Sequence, residues 1–269
     1  MRKEAILLVA FGSTASETQS VFDHIEKQVR GAFPSVPTAW AYTSRNVRSK
    51  LARLGKIVDS PSMVLARLQD DSFTHVALLS LHTIPGIEFH QLVHDAKIFE
   101  AMAAGRSRVV VAKPLLASHQ DLKRAALAML KRVPTERRPE DAVVLVGHGS
   151  EKHAADLIYT AVNATVRELD PRVFLASVQG YPGLGDILPK LRQTEARRVF
   201  LMPFMSVAGE HARKDMAGEG PGSFKSILER ESYEVLAVLK GTAEYPEILG
   251  IWMDHLRLAM TQLREDRLG

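Results

Sequence analysis

The feature that most constrains this chain is an internal duplication. Residues 5–14, AILLVAFGST, match residues 142–151, AVVLVGHGSE, which sets Phe11 opposite His148, 137 positions later. Residues 76–89, VALLSLHTIPGIEF, match 199–212, VFLMPFMSVAGEHA, which sets Glu88 opposite His211, 123 positions later. Both matches run from an apolar strand into a glycine-containing loop. A chain that repeats such a unit is expected to form two similar lobes face to face, with the polar residues at corresponding loop tips lining the cleft between them.

Apolar runs of strand length recur at 5–10, 38–42, 75–80, 108–112, 142–146, 172–178, 198–202 and 234–239. They are rich in Val, Leu and Ala with little alternation, the pattern of strands covered on both faces. Helical patterns lie between them, among them 17–33, 152–169 and 244–265. Strands alternating with helices predict βαβ units, and therefore an α/β fold of mainly parallel sheets flanked by helices. The stretch RVPTERRPED at 132–141, with two prolines and six charges, reads as a linker. It predicts an N-terminal α/β lobe over 1–135 and a C-terminal α/β lobe over 136–269 that carries the metal-binding histidines. Because the offset between copies falls from 137 to 123, the first copy holds about 14 extra residues, placed in the surface connection at 54–68.

Composition narrows the chemistry. The chain has 269 residues, 46% of them hydrophobic, enough for a substantial core in each lobe. No apolar stretch approaches the roughly 20 residues that span a bilayer, and the opening MRKEAILLVAFGST reads as a buried strand, not a signal peptide, so a soluble cytoplasmic protein without membrane partners is expected. There is no Cys, which excludes disulfides, thiolate nucleophiles and Cys-based metal sites. Ten histidines remain as metal-binding candidates. The net charge of +4 is spread along the chain and aromatics are only 6%, which argues against nucleic acid and suits a small polyanionic ligand.

In open parallel sheets, ligands bind beyond the carboxyl ends of the strands. His148, Gln179 and His211 all follow strands there. His148 stands between two glycines, straight after a buried strand, where small neighbours let a ligand approach closely. A phosphate-binding loop is the competing reading, but the Lys-Ser/Thr ending is missing and no GxGxxG occurs. Two neutral imidazoles plus one oxygen donor make an open site for divalent Co, Fe, Ni or Zn. Glu88 is followed by His90 and His94, four residues apart and so on one helix face, which could instead hold a second metal or a haem iron, or be ordinary surface positions. His82 lies in the same loop.

At this point the residues resemble a known family. VAFGST at 9–14, AYTSRNVRSKL at 41–51, SLHTIPGIEFHQL at 80–92, KPLLASHQD at 113–121, GHGS at 147–150, SVQGYPGLGDIL at 177–188 and LMPFMSVAGEHARKDMAGE at 201–219 resemble the anaerobic sirohydrochlorin cobaltochelatases of the CbiK type, ferrochelatase-like class II chelatases. The likeness runs over nearly the whole chain. It implies two similar α/β lobes around a tetrapyrrole cleft, and a metal held by His148, the residue at 179 and His211, with Glu88 as a further cleft carboxylate. This chain has Gln179 where the family pattern has Glu, which keeps an oxygen donor and loses its charge.

The resemblance implies a lyase that inserts Co2+, with Fe2+ or Ni2+ as other ions its donors accept, into sirohydrochlorin during cobalamin synthesis. It implies His148 as proton acceptor and metal ligand, His211 as metal ligand and Glu88 as proton relay. Phe11, His82, Glu88, Met205 and Val207 would flank the macrocycle, and Arg45, Arg48 and Lys50 could meet its carboxylates. A homo-oligomer is expected from the family. Two other readings stand beside it: a sirohydrochlorin ferrochelatase making sirohaem, and a non-catalytic metal- or haem-binding protein that uses His90 or His94.

Overall fold

The unbroken apolar runs form strands with both faces covered, because Val, Leu and Ala on either side of the pleat can be buried only between helices. The computed structural model describes residues 2–102, 107–150 and 152–265. In chain order the first elements are β1 (Glu4–Ala10), α1 (Thr18–Ala32), β2 (Thr38–Tyr42), α2 (Arg45–Arg53), α3 (Pro61–Asp70), β3 (His75–Ser80), α4 (Ile87–Met102) and β4 (Arg108–Val111). They are followed by α5 (His119–Lys131), β5 (Ala142–Gly147), α6 (Leu157–Leu169), β6 (Val173–Ser177), α7 (Leu184–Arg192), β7 (Arg198–Pro203), α8 (Phe224–Arg230), β8 (Glu234–Ala237) and α9 (Pro246–Arg264).

The strands form two four-stranded sheets, parallel throughout, ordered β2-β1-β3-β4 and β6-β5-β7-β8. The two orders are the same when β1 is set on β5, so the duplication read from the sequence extends to strand connectivity. The extra residues of the first copy are a helix. Between β2 and β3 run α2 and α3, whereas α7 alone links β6 to β7. Ser44 and Ser60 cap α2 and α3, each side chain accepting from a backbone N–H in the first turn.

The chain divides into two compact units, one of residues up to Ala117 together with those from Gly250, the other Ser118–Leu249. This division does not coincide with a boundary near 135 drawn from the Pro-rich, charged stretch. Helix α5 packs on α6 and so belongs with the second sheet. The greater part of α9 belongs with the first unit, where Arg264 pairs with Glu4 at 2.9 Å and His255 Nδ1 bonds the Lys113 carbonyl at 3.1 Å. Chain composition marks where a turn is exposed; it does not mark which sheet a helix joins.

Each unit has its own core. In the first, Leu7, Val9, Ala41, Leu65, Leu78 and Leu92 cluster under the sheet; in the second, Val144, Val146, Phe174, Leu191, Leu201 and Met216 do. Each such aliphatic side chain, fully buried, stabilises by roughly 1.5–3 kcal/mol. That rigidity is what fixes the loops at the strand ends. Among the described residues, no helix is long and apolar enough to cross a membrane.

Candidate metal centre

Strand β5 ends at Gly147, and a Cβ there would stand 2.6 Å from the Tyr159 ring of α6, so only glycine lets that helix pack on the strand end. His148 follows directly. Gly149 has φ +78°, and a Cβ on it would lie 1.4 Å from the Gln179 carbonyl oxygen, so this loop and the one after β6 can touch only through a glycine. The two are joined by the Gln179 N–H, which donates to the His148 carbonyl at 2.9 Å, and the Val178 N–H, which donates to the Gly147 carbonyl at 2.9 Å. Histidine 148 is half-buried and Gln179 exposed.

His211 arrives from β7. The loop from Met205 to Ala208 is anchored by Thr242, whose N–H and Oγ1 both donate to the Met205 carbonyl, at 2.8 and 3.0 Å. A short helical turn then begins, and Ala212–Met216 widens into a π-turn with the Ala217 N–H on the Ala212 carbonyl. Such turns recur at functional sites, where they re-aim a side chain. Here His211 and Asp215 fall on one face, and His211 Nδ1 lies 2.6 Å from Asp215 Oδ2.

The outcome is a pair of imidazoles. The rings of His148 and His211 stand edge to face, 4.5 Å between centroids with planes at 86°. His148 Nδ1 lies 3.0 Å from the Gly149 carbonyl, and since a carbonyl and a carboxylate only accept, both histidines carry their proton on Nδ1. In the neutral form of each ring Nε2 is then the acceptor atom, the one that could take a metal ion. Orientation of a metal-binding imidazole by a carboxylate on its other nitrogen is a recurrent second layer of such sites. Among the described residues, no group of three or more His, Cys, Asp or Glu is placed to hold a metal ion. Gln179 is the amide on the adjoining loop, bonded through its backbone N–H to the His148 carbonyl.

The remaining sequence candidates lie as follows. Met205 and Val207 are half-buried in the loop that leads to His211, and the Val207 backbone is so close to Gly241 that a Cβ there would come within 2.5 Å of it. Phe11, 36% exposed, follows β1 as His148 follows β5. His82 bonds Ser80 Oγ through Nδ1 at 2.8 Å and meets Thr43 Oγ1 at 3.5 Å. Desolvation pulls its pKa down to about 4, so this imidazole is neutral at physiological pH. Glu88 is exposed in the first turn of α4. His90 Nδ1 lies 2.9 Å from the Gly86 carbonyl, an i−4 bond that cements the start of the same helix, and His94 is exposed one turn on.

The sequence singles out His148 by its flanking glycines at a strand end and His211 by its register with Glu88 in the two copies. Sequence reasoning missed Asp215, for which the spacing His-x-x-x-Asp was an available signal, and it missed Asp156. The Asp156 carboxylate accepts from the Ser150 N–H at 2.9 Å and from the Tyr181 N–H at 2.7 Å, and no periodic pattern announces such a bridge.

Comparison with known proteins shows the family. A family model described as cobalt chelatase (CbiK) matches residues 4–261. The sirohydrochlorin cobaltochelatase CbiKC of Nitratidesulfovibrio vulgaris is 43% identical over 98% of this chain and 93% of its own length. The sirohydrochlorin cobaltochelatase of Salmonella typhimurium is 30% identical over 98% and 99%. In fold, the chain is similar to SirB from Bacillus subtilis, solved with Fe3+, with a TM-score of 0.64 at 17% identity over 98% of this chain and 99% of that one. With paired imidazoles at the strand ends of a duplicated α/β fold and a match over nearly its full length, this chain belongs to the CbiK family of cobalt chelatases.

Proposed function

We propose that this protein is a sirohydrochlorin cobaltochelatase, a metal-inserting lyase that places Co2+ into sirohydrochlorin in anaerobic cobalamin synthesis. The observation that carries the reading is the His148–His211 pair, 4.5 Å apart, in a chain 43% identical to a relative of that activity.

Insertion exchanges two pyrrole N–H protons for one divalent ion, so the site must accept protons and give up a metal. An imidazole takes up and releases protons near neutral pH and also ligates borderline divalent ions. We assign His148 both tasks, His211 the role of second ligand, and Gln179 that of a neutral oxygen donor. The ligand set then carries no charge to offset that of the ion. Such a set holds the ion loosely and yields it to a macrocycle whose deprotonated nitrogens are negative. Glu88 is assigned to proton relay, on its register with His211 in the two copies and its exposed carboxylate. Phe11, His82, Met205 and Val207 are assigned to the macrocycle, His82 as a neutral polar contact.

The same donors accept Fe2+ or Ni2+, and competition between Co2+ and Fe2+ in the insertion assay distinguishes a cobaltochelatase from a sirohaem-forming ferrochelatase. A haem held through His90 is a separate expectation, checked by the absorbance of the purified protein. We further infer a cytoplasmic homo-oligomer whose partners are tetrapyrrole and ion, not nucleic acid or membrane. The scattered charge supports the absence of a nucleic-acid partner. The deciding test is insertion itself: His148→Ala should abolish the absorbance change of sirohydrochlorin with Co2+ while the circular dichroism spectrum is kept. Full turnover by that variant, or only binding without insertion by the unaltered protein, would refute the assignment.

A further inference from the structure

Asp156 ends a short 3-10 turn, Ala154–Asp156, ahead of α6, and its side chain does not cap that helix. The carboxylate instead spans two loops. Oδ1 accepts from the Ser150 N–H at 2.9 Å and Oδ2 from the Tyr181 N–H at 2.7 Å. Ser150 lies two residues after His148, and Tyr181 two residues after Gln179. Gly180, at φ +90°, lets the second loop come this close, because a Cβ at 180 would stand 2.6 Å from Asp156 Oδ2. The opposing contact is the Gln179 N–H on the His148 carbonyl. The loops are thus joined directly by two backbone bonds, Gln179 N–H to the His148 carbonyl and Val178 N–H to the Gly147 carbonyl, and beyond these, at Ser150 and Tyr181, through the one carboxylate of Asp156. Both bonds are of the charge-assisted kind, short and strongly directional.

We propose that Asp156 is a positioning residue of the metal centre, which clamps the loops that carry the His148 and Gln179 donors just beyond those residues, and so holds the donors' orientation without touching the ion. The proposal rests on the assignment of those two donors made above. The test is Asp156→Asn, which preserves shape but offers one acceptor oxygen, so one of the two backbone N–H groups loses its partner. Metal affinity falls steeply when ligand orientation is lost, by about 10- to 100-fold for outer-shell partners. We expect the KM for Co2+ to rise at least about tenfold on this basis, with the KM for sirohydrochlorin unchanged. A loss of kcat with both KM values unchanged is what a merely structural role gives, and it overturns the proposal, as does unchanged kinetics.

His148→Ala, titrated with Co2+ in parallel, separates this proposal from the reading beneath it. If His148→Ala binds Co2+ as the unaltered protein does, the donor assignment fails. If His148→Ala loses binding while Asp156→Asn keeps it, only the Asp156 proposal fails. Hydrogen exchange on the unaltered protein gives a check that does not depend on the variant folding: the amides of Ser150 and Tyr181 should both be protected, and exchange at the rate of a solvated loop at either one overturns the proposal.

Discussion

A neutral amide at position 179 is the residue by which this chain departs from the carboxylate that the family pattern leads one to expect. On the assignment above, Gln179→Glu adds a negative charge beside a doubly positive ion, and even at high effective dielectric such a pair attracts by more than 1 kcal/mol. Calorimetric titration should show Co2+ bound roughly tenfold more tightly, about 1.4 kcal/mol; equal affinity would count against ligation at 179. His82 gives a second prediction at this scale. The unfolded chain takes up a proton at a histidine near pH 6.5, whereas the folded chain resists until about pH 4. Its contribution is fully present above pH 6.5 and is lost as pH falls toward 4, by up to about 3 kcal/mol. Denaturant midpoints of the unaltered protein and His82→Gln should therefore converge over that window, and parallel curves would contradict it. His148 was legible because glycine spacing and strand ends are local, and His211 through its register with Glu88. Asp215 lies four residues after His211, a local spacing that was there to be read, whereas Asp156 acts through a closure of the chain that local pattern does not encode.

At the scale of elements, strand positions were read closely, because a Val- and Leu-rich run between helices has few alternatives to a buried parallel strand. The start of α6 was not. A helical pattern runs from 152, yet the regular helix begins at Leu157, since His153 Nδ1 accepts the Ala155 N–H and the Asp156 carboxylate is turned to the loops. Entry into the second sheet depends on an ion pair that no periodicity predicts. Arg198 at the start of β7 donates to Asp141 just ahead of β5, Nη2 to Oδ2 at 2.5 Å, with Asp141 almost fully buried. Burial pushes that carboxyl upward, but the Arg198 hydrogen bond and the Arg138 N–H outweigh it and hold the pKa below the usual range. Removing the cation leaves the Asp141 carboxylate with the Arg138 N–H alone, so Arg198→Ala should lower the midpoint of chemical denaturation at neutral pH. An unchanged midpoint would mean the pair is no more than a surface contact.

At the scale of the whole molecule, the duplication was the most informative reading; the structure adds that the two sheets repeat one strand order. The limit of the duplication was the assignment of helices to units, because α5 and α9 lie at the ends of the repeats and either sheet could have taken them. What the duplication left to chemistry is the asymmetry of the two copies: Phe11 and Glu88 in one, His148 and His211 in the other. The account rests on the second pair sharing one ion through Nε2 of each ring. X-ray absorption at the cobalt edge of the Co2+-loaded protein counts imidazole ligands directly. Two are predicted in the unaltered protein and one in each of His148→Ala and His211→Ala; an imidazole count that either substitution leaves unchanged would contradict the account.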